Sequence, residues 1–130
     1  TSGVPLVGYR TDVFPLFYVR ESPYPVPDRA DDADSIAAAA AAHWGFARST
    51  GLVVAQPVAE EAALDAAELD RTIDAAVADA AAAGVRGPGV TPHVLAAVHA
   101  ATAGRSLEAN SRLVVDNAGL AAEIAAAYYS

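Results

Sequence analysis

Residues 90–127 read VTPHVLAAVHAATAGRSLEANSRLVVDNAGLAAEIAAA, a stretch with the pattern of two helices joined by a short connection. Thr91 followed by Pro92 is a helix start signal: threonine can accept from free N–H groups and proline tolerates the first helical position. Val94, Leu95, Val98 and Ala101 then form one apolar face. Gly104 is placed to end that helix in a left-handed conformation, and Ser106 can cap the next. In the second helix Asn110, Leu113, Val114, Asn117, Ala121, Ile124 and Tyr128 follow a single stripe. That stripe puts two asparagines on the face expected to be buried. A buried carboxamide needs partners for its two donors and its acceptor. Either each amide ties a loop to the core, or one of them faces a polar ligand.

Upstream, the elements alternate. Val4 to Tyr9 is a short apolar run with the look of a buried strand, and Leu52 to Ala55 is a second. Between them, Phe14 to Val19 is aromatic and carries Pro15, which suits a turn or irregular segment. Ser22 to Pro27 holds prolines at 23, 25 and 27 and predicts a semi-rigid extended connection. Asp31 to Arg48 reads as a helix, with acids at its start, an alanine run from Ala37 to Ala42, and Trp44 and Phe46 near its end. Asp65 to Ala83 is another, ended by Gly84, with Leu69, Ile73, Val77 and Ala80 inward and Glu68, Asp70, Asp74 and Asp79 outward. The order is strand, helix, strand, then three helices, an α/β pattern with a helix-rich C-terminal half. Two parallel strands do not make a stable sheet alone. The pattern therefore predicts a portion of an α/β/α sandwich whose other strands come from another polypeptide segment.

Composition narrows the functional classes. The 130 residues carry a net charge of −8, which argues against a nucleic-acid backbone as partner. With no cysteine there is no disulfide, thiol nucleophile or thiolate metal ligand. No uninterrupted apolar run is long enough to span a bilayer, and no basic segment precedes an apolar one at the start, so a cytoplasmic protein without membrane partners is expected. Much of the apolar content is alanine, so the core should be thin. All eight basic side chains are arginine; there is no lysine. A guanidinium stays protonated, so no side chain here can form a Schiff base.

Few residues suggest chemistry by their placement. Asp12 follows the first strand, where polar residues line ligand crevices in open α/β sheets, although such a residue also serves as a turn or helix cap. Glu60 and Glu61 are adjacent and point apart, which suits a solvated face. His93 and His99 lie on different helical faces and make no metal pair, and His43 stands without a second histidine at ligand spacing. Gly87-Pro88-Gly89 is a turn without the lysine or spacing of a phosphate loop.

Three blocks together resemble one family. TPHVLAAVHAATAGRSLEANSRLVVDNAGLAAEIA (91–125), VPLVGYRTDVFPLFYVRES (4–22) and LVVAQPVAEEAALDAAEL (52–69) are similar, in family order, to segments of the pseudouridine-5'-phosphate glycosidases, or indigoidine synthase A-like proteins. The resemblance implies that residues 1–130 are a single C-terminal segment of a larger domain. It implies a homotrimeric α/β/α enzyme that reversibly cleaves the C–C glycosidic bond of pseudouridine 5'-phosphate, giving uracil and ribose 5-phosphate. It further implies a Schiff-base lysine, a proton-moving glutamate and a manganese ion, all supplied by an N-terminal segment that precedes the first block. The one site residue it carries onto this chain is Asn110, which matches the asparagine that hydrogen-bonds the uracil edge; Asn117 matches a residue expected to anchor a helix. Val13 and Asp116 depart from the family pattern, which usually has glutamate and asparagine there. They leave open a C-glycoside synthase that joins ribose 5-phosphate to another aglycone. A non-catalytic binding or assembly domain is the remaining alternative.

The missing lysine has a direct consequence. Borohydride reduction of this chain with ribose 5-phosphate should leave every side chain unmodified, as read by peptide mass spectrometry. A sugar adduct on any side chain would contradict the assignment.

Overall fold

The computed structural model describes residues 3–46 and 49–130. Its three strands are β1 (Leu6–Tyr9), β2 (Asp28–Ala30) and β3 (Val53–Ala55). Its helices are α1 (Ala33–Gly45), α2 (Ala66–Ala82), α3 (Val90–Ala101) and α4 (Arg105–Tyr129). Short 3-10 turns cover Glu60–Ala62 and Gly87–Gly89. The strands form one parallel sheet in the order β2-β1-β3, so the α/β class holds.

β2 is the element that the sequence pattern does not reveal. It comprises only Asp-Arg-Ala, with two exposed residues, and so lacks any apolar alternation. Backbone pairing makes it a strand: Gly8 sits opposite Arg29, and the Arg10 N–H donates to the Ala30 carbonyl at 2.9 Å. The proline-rich connection leads into it as an extended arm. Along that arm Pro25 bridges Val13, and the Val26 N–H donates to the Asp12 carbonyl at 3.0 Å. Gly8 allows this closeness. A Cβ there would run into the Thr11 carbonyl oxygen and come within 2.8 Å of a Val26 methyl.

α1 begins at a side-chain cap. The Asp32 carboxylate accepts from the Ser35 N–H at 2.7 Å, and that backbone bond is the main reason the carboxyl is held below its ordinary pKa. Ile36, Ala37 and Ala40 are buried, and the small alanines let α1 pack closely against α4. Arg48, expected near the end of this helix, lies outside the described residues. His43, half-buried, faces Thr50, with Nε2 3.0 Å from Oγ1, so it anchors the loop before β3. α2 is capped by Asp65, which accepts from the Glu68 N–H at 2.8 Å. Its buried residues are Leu69, Ala76 and Ala80, whereas Val77, expected inward, is exposed.

Two cap assignments in the C-terminal half are corrected. α3 starts one residue earlier than Thr91, and no side chain caps it. Ser106 lies inside the first turn of α4, buried, and its N–H donates to Thr102 Oγ1 at 3.2 Å. Thr102 is the residue that organises the corner. Its hydroxyl donates to the Val98 carbonyl at 2.8 Å while accepting from Ser106, and Gly104 makes the turn with φ +85°.

The main core joins Tyr18, Val19, Val58, Leu64, Leu69, Val98, Ala109 and Leu113. The aromatic segment after β1 is thus irregular, as expected, but it also plugs the helical core. The largest fully buried side chains are Ile36, Val58 and Val98, a thin core as the composition implied.

Two glycine substitutions should move stability in opposite directions. Gly8→Ala forces the Thr11 and Val26 contacts apart and should cost about 1–3 kcal/mol. Gly119→Ala, in open space within α4, should add roughly 0.5–1 kcal/mol through helix propensity. Urea titration of both variants checks the pair.

Candidate active-site edge

Parallel strands end on one side, so the residues that follow β1, β2 and β3 meet at one edge of the sheet. In open α/β sheets that carboxyl edge is where ligands bind. Here it carries Arg10, Thr11 and Asp12 after β1, Asp31 after β2, and Gln56 and Pro57 after β3.

The first half of this edge is a braced ionic rim. Arg29 contacts Asp12 Oδ2 at 2.6 Å and Asp31 Oδ1 at 2.9 Å. These two carboxylates, Asp31 first, hold the guanidinium above its ordinary pKa. Arg10 Nε donates to the Asp31 carbonyl at 2.9 Å, and its guanidinium lies 4.8 Å from the Tyr9 ring centre. Arg10 adopts a left-handed φ of 55°, a strained conformation for a residue with a Cβ. Arg20 donates to the Val58 carbonyl, tying the rim to the segment after β3. Thr11 is buried, and its hydroxyl donates to the Val13 carbonyl at 2.9 Å.

Asp12 therefore lines a crevice with Arg10, Arg20, Arg29, Pro57 and Glu60. It is neither a helix cap nor a buried acid: its side chain is 77% exposed and its carboxylate is paired with Arg29. The arginines of this rim are matched by carboxylates and carbonyls. The rim can orient a polar ligand and fix the strand ends.

Asn110 stands on α4, half-buried, beside the buried Ala109. It does not line the crevice that contains Asp12. Asn117, expected inward, is exposed, and among the described residues no hydrogen bond engages either asparagine side chain. The reason is a rotation of the stripe. The buried residues of α4 are Ser106, Ala109, Leu113 and Leu120, and at 100° per residue the two asparagines lie roughly 50–70° from the centre of that line. Glu60 and Glu61 are exposed, as expected, and His93 pairs with Asp79 at 3.0 Å.

The flank of β3, which meets this edge at Gln56, is apolar. A groove of about 530 Å³ runs between α1, β3 and α4, lined by Trp44, Leu52, Val54, Leu120, Ile124 and Tyr128. A smaller groove takes Phe14, Phe17, Val53 and Leu113. Gln56 and Asn117 line both grooves. Gln56 Oε1 is buried without a hydrogen-bond partner. Sequence reasoning passed over Gln56, although its signal is the one that marks Asp12: a polar residue just beyond the C-terminal end of a strand. Among the described residues no three His, Asp or Glu side chains converge to hold a metal ion.

Comparison with known proteins agrees with this architecture. The family model described as indigoidine synthase A like protein matches residues 1–127. The chain is 45% identical over 130 residues to pseudouridine-5'-phosphate glycosidase of Hahella chejuensis, covering all of this chain and 43% of that protein. It is 46% identical over 128 residues to the Escherichia coli enzyme of the same name, covering 98% of this chain and 41% of that one. Among solved structures it resembles the prealnumycin C-glycosynthase AlnA in complex with ribulose 5-phosphate, with TM-score 0.89 and 36% identity over 97% of this chain and 41% of that one. It also resembles an indigoidine synthase A-like protein of Thermotoga maritima, with TM-score 0.80 and 34% identity over 94% of this chain and 40% of that one. The chain thus spans about two fifths of the length of these relatives.

Proposed function

The chain belongs to the indigoidine synthase A-like family, and from that premise we propose that it is the C-terminal part of a pseudouridine-5'-phosphate glycosidase. The enzyme reversibly cleaves the C–C bond between uracil and ribose 5-phosphate. The observation that carries this reading is the end-to-end match at 45% identity to a glycosidase of which the chain spans only 43%. A lysine-free segment fits that arrangement, because the Schiff-base lysine and the proton-moving glutamate then belong to the N-terminal segment of the same enzyme. The manganese ion of the family would take its ligands there too, and no step performed by this segment runs through it. Assembly as a homotrimer and a cytoplasmic setting go with the same reading; no helix among the described residues is long and apolar enough to cross a membrane.

This segment's own contribution is recognition and shape. Asn110 offers one donor and one acceptor, which match the imide edge of uracil. Its place on a long, packed helix fixes the backbone from which the half-buried carboxamide would reach the base. Asp12 and Arg29 form the polar rim on the strand-end side and contribute to holding the phosphorylated C-nucleoside. A C-glycoside synthase is the second reading, favoured by the likeness to a C-glycosynthase at TM-score 0.89. The two readings share ribose 5-phosphate chemistry and differ in the aglycone.

The assignment of Asn110 is tested in the complete enzyme with Asn110→Ala and Asn117→Ala, each measured for turnover and melting temperature. A lost neutral hydrogen bond is worth roughly 0.5–1.5 kcal/mol, more where its partner is left unsatisfied. Asn110→Ala should therefore lower kcat/KM on pseudouridine 5'-phosphate by about ten-fold or more with little change in melting. Asn117→Ala should leave turnover near that of the parent. The reverse pattern would exchange the two roles.

A further inference from the structure

A uracil joined to its sugar through carbon has more hydrogen-bonding edges than one joined through nitrogen. Carbon attachment leaves both ring nitrogens protonated, so the ring presents N1–H beside C2=O as well as N3–H beside C4=O. Each edge pairs a donor with an acceptor, and each matches one carboxamide. Asn110 can read one edge. The second calls for another carboxamide, and the groove of about 340 Å³ that holds Phe14 and Phe17 has one at Gln56. Gln56 is half-buried, and its Oε1 is enclosed with no hydrogen-bond partner among the described residues. An unsatisfied buried acceptor costs free energy. Terminal amide torsions are broad, so turning the group toward the groove breaks no bond to that oxygen.

The walls of this groove are aromatic, and the fold holds them in place. Leu16 and Val19 exchange two backbone hydrogen bonds, at 2.9 and 3.1 Å. Tyr18, between them, is buried in the main core, and its carbonyl accepts from the Leu64 N–H at 2.9 Å. Phe17 is thereby kept at a left-handed φ of 56°, a costly conformation for a residue with a Cβ, and its ring stands exposed at the groove. Phe14 joins it, on a backbone pinned by its N–H donating to the Tyr24 carbonyl at 2.7 Å. Leu113 lines the groove from α4, and Asn110 lies three residues before it on that helix, on a neighbouring part of the same face. No charged side chain lines the groove, which suits a neutral ring. Its volume lies at the small end of ligand sites, roughly 300–1,000 Å³, and favours a single ring over a fused aglycone. Aromatic side chains bind such rings by stacking.

We infer that Gln56 is a specificity-determining residue for the C-glycosidic linkage: its carboxamide accepts from N1–H and donates to C2=O of a uracil ring seated against Phe14 and Phe17, while Asn110 takes the N3 edge. The inference rests on the proposed glycosidase reading. Uridine 5'-phosphate, whose N1 carries the sugar, has no such donor, and neither has a ring methylated at N1. Asn117 lines the same groove but is exposed, so water can satisfy its amide in the free protein.

The test compares pseudouridine 5'-phosphate with its N1-methyl derivative on the complete enzyme, by calorimetric binding and by kcat/KM. The parent should bind and cleave the N1-methyl compound about ten-fold less well or worse, since the donor is gone and the acceptor stays unsatisfied. Gln56→Leu removes the amide at similar size. It should lower kcat/KM on pseudouridine 5'-phosphate by about ten-fold and bring the two compounds close to equality. Equal losses on both compounds would make Gln56 a structural residue and overturn the inference, as would a parent that does not distinguish them. Phe17→Gly is a second variant that relieves strain, because glycine takes a left-handed φ freely. Its melting temperature should hold while binding of both compounds weakens by about ten-fold. Unchanged binding in Phe17→Gly would remove the ring from this groove. Binding that discriminates at N1 without cleavage would leave the inference standing and remove the glycosidase reading. Cleavage without discrimination would do the opposite.

Discussion

β1 is the strand with a partner on both sides, and the placement of every functional candidate depends on that double pairing. Buried backbone N–H and C=O groups need partners. β1 satisfies its own with β2 on one side and β3 on the other. Because all three run parallel, their carboxyl ends converge, and that convergence brings Asp12, Arg29 and Asp31 into one rim with Gln56 on the far side. Gly8 keeps the arrangement tight, since the return of the chain over β1 leaves no room for a Cβ.

The helices solve a different problem with small residues. The alanine run of α1 and the alanine-rich α4 approach closely, and the fully buried side chains reach no larger than isoleucine. A core of this kind excludes little water per residue, because alanine removes little apolar area. Much of the remaining apolar surface stays open: Trp44, Phe14, Phe17, Val53 and Tyr128 are all exposed. These residues crowd around β3, whereas the β2 side is ionic. The asymmetry of the sheet is thus an asymmetry of side-chain chemistry, from ion pairs at one edge to aromatic and branched residues at the other.

The exclusive use of arginine suits the rim. A planar guanidinium can engage two carboxylates at once, as Arg29 does with Asp12 and Asp31, where an ammonium would act as a point charge. Each contact is solvent-exposed and individually weak. Their value lies in fixing the geometry of strand ends that the backbone alone leaves strained, as the left-handed φ of Arg10 shows.

The sequence by itself determined the α/β class, the β1 and β3 strands, the four helices and the family, because each rests on local periodicity, turn residues or contiguous motifs. It also determined that no side chain here supplies a Schiff-base amine. Tertiary structure alone decided the rest. β2 is invisible locally, since three charged and small residues become a strand only by pairing with β1. The inward line of α4 passes through Ala109, Leu113 and Leu120 and leaves Asn117 outside, because its packing partners, the main core at Ala109 and Leu113 together with α1, select which of two neighbouring stripes is buried. Asp12 became a salt-bridge partner because β2 delivers Arg29 to it across 17 residues of sequence. Long-range pairing of this kind is set by contacts between distant segments, and no local pattern encodes it.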